Sequence, residues 1–299
     1  MSHAHVIATT QTIAHSRLHD YVQIAKPRLS LLVLLTTLVG FFFGSDAGLN
    51  LWLLADVLFG TALVAMGSGA LNQALEFRTD KLMARTASRP VPSGRLSYGE
   101  VLYFGVAASL IGLLYLTMRA NVECAAVAAL TLALYVFAYT PLKRVSSLNT
   151  LVGALPGALP PLIGFVAANG SLDWRAYALF AIIFVWQLPH FLAIAWLYRK
   201  DYARAGLRML PGEDPNGVST GMQMLVHALT LLPLSMLPLY FRMAGMVYLS
   251  GALLLGLMFL SSTLIFAVRR NDAAARKVFL ASVIYLPLLL SLMMFDSVA

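Results

Sequence analysis

The sequence has little of what a soluble enzyme usually contains. Of its 299 residues only 11% are charged, 60% are hydrophobic, and Cys124 is the single cysteine. One cysteine excludes an internal disulfide and a cysteine metal cage. Soluble domains carry about 25% charged residues, so the scarcity of charge excludes that class.

Long apolar runs fill most of the chain. A membrane-spanning helix needs about 20 apolar residues, because the hydrocarbon core of a bilayer is about 30 Å thick. About nine runs have this character, at residues 29–44, 51–71, 98–117, 122–139, 148–168, 174–197, 219–240, 244–268 and 278–295. We therefore predict an all-α, polytopic membrane bundle of about nine transmembrane helices, with residues 26–299 as a single domain and no room for a second one.

Residues 1–25 precede the first apolar run and contain no apolar core of signal-peptide length. Their histidines, His3, His5, His15 and His19, follow no regular spacing, which argues against a metal site. We predict a mobile cytosolic tail over this segment.

Lysine and arginine are distributed unevenly between the connections. If the amino terminus is cytosolic, all but three of the 21 basic residues fall on the cytosolic side, the exceptions being Arg119, Arg175 and Arg242. This asymmetry is the usual signal of orientation, and it explains most of the net charge of +8 without a nucleic-acid partner. It predicts a multi-pass protein with its polar site facing the cytosol. Because the amino-terminal segment has less arginine than a mitochondrial transit peptide, we place the protein in the bacterial inner membrane.

Three oxygen-bearing side chains follow the second apolar run at four-residue spacing. Asn72, Glu76 and Asp80 would lie on one stripe of a helix. Mg2+ prefers oxygen ligands and is commonly shared between one or two carboxylates and substrate phosphates. The alternative is a solvated helix end with ordinary intrahelical ion pairs, but such a stripe beside a membrane is rarely without function.

Basic and aromatic residues lie on the same predicted side of the membrane. Guanidinium groups bind phosphate oxygens in a bidentate manner, so the arginines in particular could hold a phosphorylated substrate. The neighbouring lysines and tyrosines are candidates for the same substrate site. The candidates are Lys26, Arg28, Arg85, Arg89, Tyr139, Lys143, Arg144, Tyr202 and Arg204. Lipid headgroups and the positive-inside rule offer a competing explanation for the lysine and arginine pairs before the first run and after the fourth.

A second carboxylate cluster follows the sixth run, where Asp201 and Asp214 are candidates for the same metal site. Two acidic clusters on one face of the membrane can hold a metal-bridged diphosphate between them. His190 lies within membrane depth and is a candidate for ligand binding or proton transfer, the alternative being a hydrogen-bonded structural histidine.

Several motifs, taken in order, resemble the UbiA-type intramembrane prenyltransferases, and within them the haem-specific branch. Besides the stripe these are Met83-Ala-Arg85-Thr86-Ala-Ser-Arg89-Pro90, Gly157-Ala-Leu-Pro160-Pro161-Leu-Ile-Gly164, Pro189-His190-Phe191 and Asp201-Tyr202-Ala-Arg204-Ala205-Gly206-Leu-Arg208-Met209-Leu210-Pro211. Glu76 replaces the family's usual aspartate. Lys200 stands before Asp201 where the family usually has another aspartate, which leaves Asp201 as the main second-site carboxylate and Asp214 as its helper.

The resemblance implies farnesyl diphosphate and protohaem IX as substrates, Mg2+ as cofactor, and conversion of a vinyl group to a hydroxyethylfarnesyl side chain. It also implies haem A synthase or oxidase assembly proteins as partners that receive the product. Asn72, Glu76, Asp80 and Asp201 would hold the metal, and His190 would bind iron or handle hydration. Ionisation of an allylic diphosphate needs electrostatic stabilisation of the leaving group and no nucleophilic side chain.

Three alternatives remain open from the residues alone. A prenyltransferase of the same build could act on an aromatic quinone precursor. A secondary transporter would place its site in broken helices near the membrane midplane, which the prolines of the fifth run would suit. An inactive scaffold for oxidase assembly is the third.

Overall fold

The computed structural model describes residues 16–298, and within that range it is a bundle of helices. The helices are α1 (Arg17–Ile24), α2 (Pro27–Gly44), α3 (Leu51–Asp80), α4 (Tyr98–Arg119), α5 (Val122–Ala133), α6 (Thr140–Leu142), α7 (Asn149–Ala158), α8 (Pro160–Asn169), α9 (Trp174–Leu197), α10 (Arg199–Arg204), α11 (Leu210–Glu213), α12 (Val218–Leu234), α13 (Leu237–Tyr240), α14 (Met246–Arg269) and α15 (Asp272–Phe295). A π-helical segment, Leu134–Tyr139, joins α5 to α6.

The predicted membrane architecture is confirmed. Within residues 16–298, nine helical stretches are long and apolar enough to cross a bilayer. Three of these spans are composite: α5 with the π segment and α6, α7 with α8, and α12 with α13. The chain is therefore a multi-pass, all-α membrane protein.

The ordered bundle begins before the predicted boundary at residue 25. Residues 1–15, with three of the tail histidines, lie outside the described residues. Helix α1 has a serine N-cap, Ser16, and buries Ile24 completely. Asp20 is also buried and accepts a hydrogen bond from Arg95 Nε at 2.8 Å. This helix belongs to the folded bundle because an ion pair and an apolar residue hold it there.

Glycines allow the backbone of α2 to approach α8 very closely. A Cβ atom on Gly40 would overlap Pro161, and one on Gly164 would overlap the carbonyl of Thr37. Small residues permit such contacts between membrane helices, where dispersion forces replace much of the hydrophobic effect. The fifth span is interrupted at Leu159, between α7 and α8, as its prolines predict.

The two ends of the bundle differ in their chemistry. We call the end that carries Asp80 the motif end; it comprises residues 16–28, 81–97, 143–148, 198–217 and 270–271. The opposite end, the far end, is closed by ion pairs, such as Arg119 with Asp56 at 2.9 Å and Arg175 with Asp46 at 2.5 Å.

Candidate active site

The predicted stripe forms the last turns of α3 at the motif end. Asn72, Glu76 and Asp80 are 1%, 8% and 0% exposed, so all three polar side chains are buried. A buried charge is costly unless it is paired or binds a ligand. Burial therefore argues against the alternative of a solvated helix end.

Each member of the stripe is bonded to a different basic residue. Lys26 Nζ donates to Asn72 Oδ1 at 2.5 Å. Lys143 Nζ donates to Glu76 Oε1, and Arg89 Nη1 donates to Asp80 Oδ2, both at 2.7 Å. Three segments that are distant in the chain thus converge on one helix face.

The surroundings act in opposite directions on the two lysines. Burial is the largest influence on Lys26, and together with the nearby Arg89 it lowers the pKa of its ammonium group to about 7. Burial also opposes the charge on Lys143, but Tyr139 and Glu76 outweigh it and raise the pKa of Lys143 above its ordinary value. The second cation is therefore the more firmly charged.

One oxygen of the stripe has no partner. Asp80 Oδ1 is buried and makes no hydrogen bond, although Oδ2 of the same carboxylate is bonded to Arg89. A buried, unpaired carboxylate oxygen requires an explanation, and a hard cation is the ligand that suits it. The donor set of amide and carboxylate oxygens therefore fits Mg2+.

The π-helical segment turns two tyrosines toward the lysines. Lys26 Nζ donates to Tyr135 Oη at 3.4 Å, and Lys143 Nζ lies 4.3 Å from the ring centroid of Tyr139. Thr140 Oγ1 accepts from Asn72 Nδ2 at 3.0 Å. Single π-helical turns are frequent at functional sites because the extra residue redirects side chains.

The second predicted cluster adjoins the first. Tyr202 Oη accepts from Arg85 Nη2 at 3.4 Å, and Tyr202 packs on Met83, Ala205 and Leu207. Burial raises the pKa of the Tyr202 phenol. The backbone N–H of Arg208 donates to the carbonyl of Lys143 at 2.7 Å. The loops after α3, α6 and α9 therefore pack together at one end.

The carboxylates of the two clusters are not joined. Asp201 pairs with Arg204 at 3.5 Å. Among residues 16–298, no three histidine, cysteine, aspartate or glutamate side chains lie close enough to hold a metal ion. Arg85 contacts the second cluster through Tyr202, and Arg89 is bonded to Asp80 of the stripe, so a basic residue accompanies each acidic cluster.

Some predicted residues lie away from this cluster. Asp214 Oδ2 accepts from the backbone N–H and hydroxyl of Thr220, at 2.7 and 2.9 Å, and so fixes the first turn of α12. Arg28 is exposed, and Arg144 Nη2 donates only to the Leu75 carbonyl, at 3.5 Å. The structure thus does not bring Asp214 to the stripe and leaves the two arginines at its rim.

His190 faces α15. Its Nδ1 lies 2.7 Å from Ser282 Oγ, and that hydroxyl donates to the Phe279 carbonyl at 2.6 Å. Because the hydroxyl proton is used there, Nδ1 must carry the hydrogen and Nε2 retains its lone pair. The imidazole also stacks against Trp186 and Phe279, with centroids 5.3 Å away in each case.

An apolar cavity opens beside the stripe. Its volume is about 260 Å³, near the lower end for small-molecule sites. The walls come from α2, α3, α5, the π segment, α7, α8 and α9, and they include Lys26, Tyr135, Tyr139, Gly153, Gly157 and Phe191. A narrow apolar cavity with Lys26 and two tyrosines at one end suits an amphiphile with an anionic head and a hydrocarbon tail.

Sequence reasoning missed Tyr135, Thr140 and the π-helical segment. Tyr135 and Tyr139 share a helix face at i and i+4, which is a weak signal because aromatic residues at that spacing are common in any membrane helix. The π-helical turn follows from tertiary packing and has no sequence pattern of its own.

The fold and this site define an intramembrane enzyme class. Residues 33–286 match the model of the UbiA prenyltransferase family, and the chain belongs to that family. It is similar to the protoheme IX farnesyltransferases of Solibacter usitatus, 47% identical over 93% of this chain and 99% of that one, and of Salinibacter ruber, 46% identical over 93% and 99%.

Solved structures share the fold. A chain from a study of digeranylgeranylglyceryl phosphate synthase has a TM-score of 0.79 and 16% identity, covering 94% of this chain and 98% of that one. A UbiA homolog from Archaeoglobus fulgidus bound to DMAPP and Mg2+ has a TM-score of 0.65 and 16% identity, covering 92% and 99%. At this identity the likeness establishes the fold alone.

Proposed function

We propose that this chain transfers the farnesyl group of farnesyl diphosphate to a vinyl group of protohaem IX. The carbon–oxygen bond to diphosphate breaks, and a carbon–carbon bond to the vinyl group forms. Water then adds to the resulting cation and loses a proton, which gives the hydroxyethylfarnesyl side chain of haem O. The observation that carries the proposal is the buried, cation-paired stripe at the entrance of an apolar cavity, in a chain close to relatives with that name.

Asn72, Glu76 and Asp80 would hold Mg2+, with Asp201 completing the set across the diphosphate. The unpaired Asp80 Oδ1 is the atom that supports this assignment most directly. When bound, the metal stabilises negative charge on the leaving diphosphate. Asp214 takes part only if its bonds to Thr220 break.

The basic residues that are bonded to the stripe would exchange partners when substrate binds. In the absence of substrate, Lys143 and Arg89 pair with the two carboxylates of the stripe, and Lys26 is bonded to the Asn72 amide. A bound diphosphate would pair with the basic residues, and its metal ion would pair with the carboxylates. Each ionic group keeps a partner, so the exchange avoids leaving a buried charge unpaired.

The rim would complete the phosphate site. Arg85 and Tyr202 are linked by a hydrogen bond, and Arg204 is held near Asp201. Arg28 and Arg144 are exposed at the same end, where they guide an anionic headgroup toward the site.

The cavity would bind the farnesyl tail and protect the allylic cation. Its walls exclude water until the new carbon bond forms. The faces of Tyr135 and Tyr139 carry partial negative charge, which stabilises a nearby cation. A porphyrin is too broad for a cavity of about 260 Å³ that also holds a prenyl chain. The haem would therefore bind outside this cavity and present its vinyl group to it.

His190 is the proposed residue for haem. Its free Nε2 is suited to iron, or to accept the proton of the added water, and the stacked rings of Trp186 and Phe279 hold the imidazole in place. This role predicts that the porphyrin lies against α9 and α15.

The proposed location is the bacterial inner membrane, with the motif end in the cytosol. Support comes from the basic residues, all but three of which precede or follow spans at that end. Haem A synthase or oxidase assembly proteins are the proposed recipients of the product.

Turnover of the purified protein tests the function. Protohaem IX, farnesyl diphosphate and Mg2+ should yield a haem heavier by one farnesyl group and one hydroxyl group, and chelation of Mg2+ should stop the reaction. Asp80→Ala should abolish product formation, whereas Asp56→Asn at the far end should not. Prenylation of an aromatic quinone precursor with no haem product would overturn the proposal.

A further inference from the structure

The apolar part of the cavity follows one face of α3 away from the stripe. Thr61, Val64, Ala65, Ser68 and Gly69 all line it. Their spacing of three and four residues makes them a single helical face, and Asn72 continues that face at the motif end. The cavity is therefore a channel parallel to α3, and Thr61 marks its deep end.

Three helices close the channel at the same depth. Thr61 on α3, Ala128 on α5 and Ile163 on α8 line the cavity. One turn further toward the far end on each helix stand Val57, Cys124 and Val166, which are 0%, 0% and 2% exposed and belong to a packed apolar cluster. The channel ends where this cluster begins, so it has a floor.

Thr61 has an unusual hydroxyl for such a position. The residue is 2% exposed, and Oγ1 makes no hydrogen bond. Threonine hydroxyls in helices ordinarily bond to a carbonyl of the preceding turn, as Thr131 does in the same cavity wall. Since this hydroxyl is itself buried, Thr61 closes the end of the channel by packing and presents no exposed polar atom there.

The depth of the channel matches a particular chain length. From Thr61 to Asn72 the helix rises about 16 Å at 1.5 Å per residue. An extended chain of three isoprene units spans about 14 Å, because its carbon–carbon bonds of about 1.5 Å form a zigzag. A further unit adds about 5 Å on the same basis. Three units fit between the floor and Asn72, the residue of the stripe nearest the channel, and four do not.

We propose that Thr61, Ala128 and Ile163 form the floor of the prenyl channel and select a donor of three isoprene units. The inference rests on the proposed function, since it assumes that a prenyl diphosphate places its headgroup at the stripe. It assigns donor specificity to residues that touch neither the metal nor the diphosphate.

Binding of unreactive donors tests the floor without haem. Dissociation constants of geranyl, farnesyl and geranylgeranyl thiodiphosphate would be measured with the purified full chain and Mg2+. Ala128→Leu fills the floor and should shift preference toward the two-unit donor by about tenfold. Ile163→Ala deepens it and should shift preference toward the four-unit donor by about tenfold.

A matched variant controls for added volume. Ala126→Leu makes the same change on an exposed position of α5, and it should leave the ranking of the three donors unchanged. Size-exclusion elution identifies any variant that fails to fold. The two floor variants are expected to shift the preference in opposite directions, so a single folded floor variant is enough for the test. An unchanged ranking in a folded floor variant would overturn the inference.

The outcomes separate the floor from the proposed function. If the wild-type chain transfers farnesyl to haem but floor variants keep the original ranking, the floor is wrong and the function stands. If the ranking shifts as expected but no donor prenylates haem, the floor stands and the proposed acceptor is wrong.

Discussion

At the scale of single residues, the stripe carries buried ion pairs whose partners a bound metal and diphosphate could replace. Lys143 and Glu76 illustrate it, since both side chains are nearly buried, at 12% and 10% exposure. Such a pair offers little net stability, because desolvation offsets its Coulombic attraction. A ligand that separates the two charges would explain why the pair is present.

Lys143→Met should change the affinities for metal and diphosphate in opposite directions. Glu76 would lose its competing cation, so Mn2+ binding without diphosphate should tighten by about tenfold, or about 1.4 kcal/mol. Binding of inorganic diphosphate should weaken by at least a similar factor. Electron paramagnetic resonance of Mn2+ and isothermal titration calorimetry measure the two quantities.

The control is Lys277→Met, which removes the same charge from an exposed position early in α15. It should alter neither affinity. Equal Mn2+ affinity in the wild type and Lys143→Met would mean that the lysine does not compete with the metal.

Tyr202→Phe addresses the junction of the two clusters. Removing the hydroxyl frees Arg85, which should raise the KM for farnesyl diphosphate a few fold with little change in kcat, because one hydrogen bond of about 1 kcal/mol is lost. Steady-state kinetics would show this. A large fall in kcat at unchanged KM would instead point to a direct role of the phenol in the reaction.

At the scale of helices, close backbone contact between α2 and α8 holds one wall of the cavity in place. The contact depends on glycine, since a methyl group at Gly164 would meet the carbonyl of Thr37. The helix is interrupted nearby, at Leu159. This break separates α7, which lines the part of the cavity nearer the motif end, from α8, which contributes Ile163 to the floor.

Gly164→Ala should therefore destabilise the bundle by about 1–3 kcal/mol, because overpacking forces the helices apart. Gly99→Ala is the matched control, since no atom lies within 4 Å of the added Cβ, and it should cost nothing. Thermal unfolding in detergent should show a lower melting temperature for the first variant only. Equal melting temperatures would show that the helices accommodate a methyl group.

At the scale of the whole molecule, the sequence predicts architecture better than it predicts contacts. The apolar runs predicted about nine spans, and nine are present among residues 16–298, because bilayer thickness imposes helix length. The stripe was visible because its spacing follows one helix. The pairing of Lys26, Lys143 and Arg89 with it was not, since these bonds join residues far apart in the chain. The helix α1 was hidden by its polar composition.

The orientation that we propose from the distribution of basic residues can be tested by labelling. Cys124 is the single cysteine of the sequence and is buried, so an introduced surface cysteine would be the thiol that reacts. Ser171→Cys at the far end should react with an impermeant maleimide added from the periplasmic side, whereas Ser88→Cys at the motif end should react only after membrane disruption. The reverse pattern would place the site outside the cytosol.

The central claim is that the stripe binds a metal together with a prenyl diphosphate. Electron–nuclear double resonance of Mn2+ with farnesyl thiodiphosphate measures this directly, through coupling of the metal to phosphorus. We expect phosphorus coupling in the wild-type protein and in Asp56→Asn, and its loss in Asp80→Asn. Coupling of full strength in Asp80→Asn would contradict the account, because the metal would then be held elsewhere.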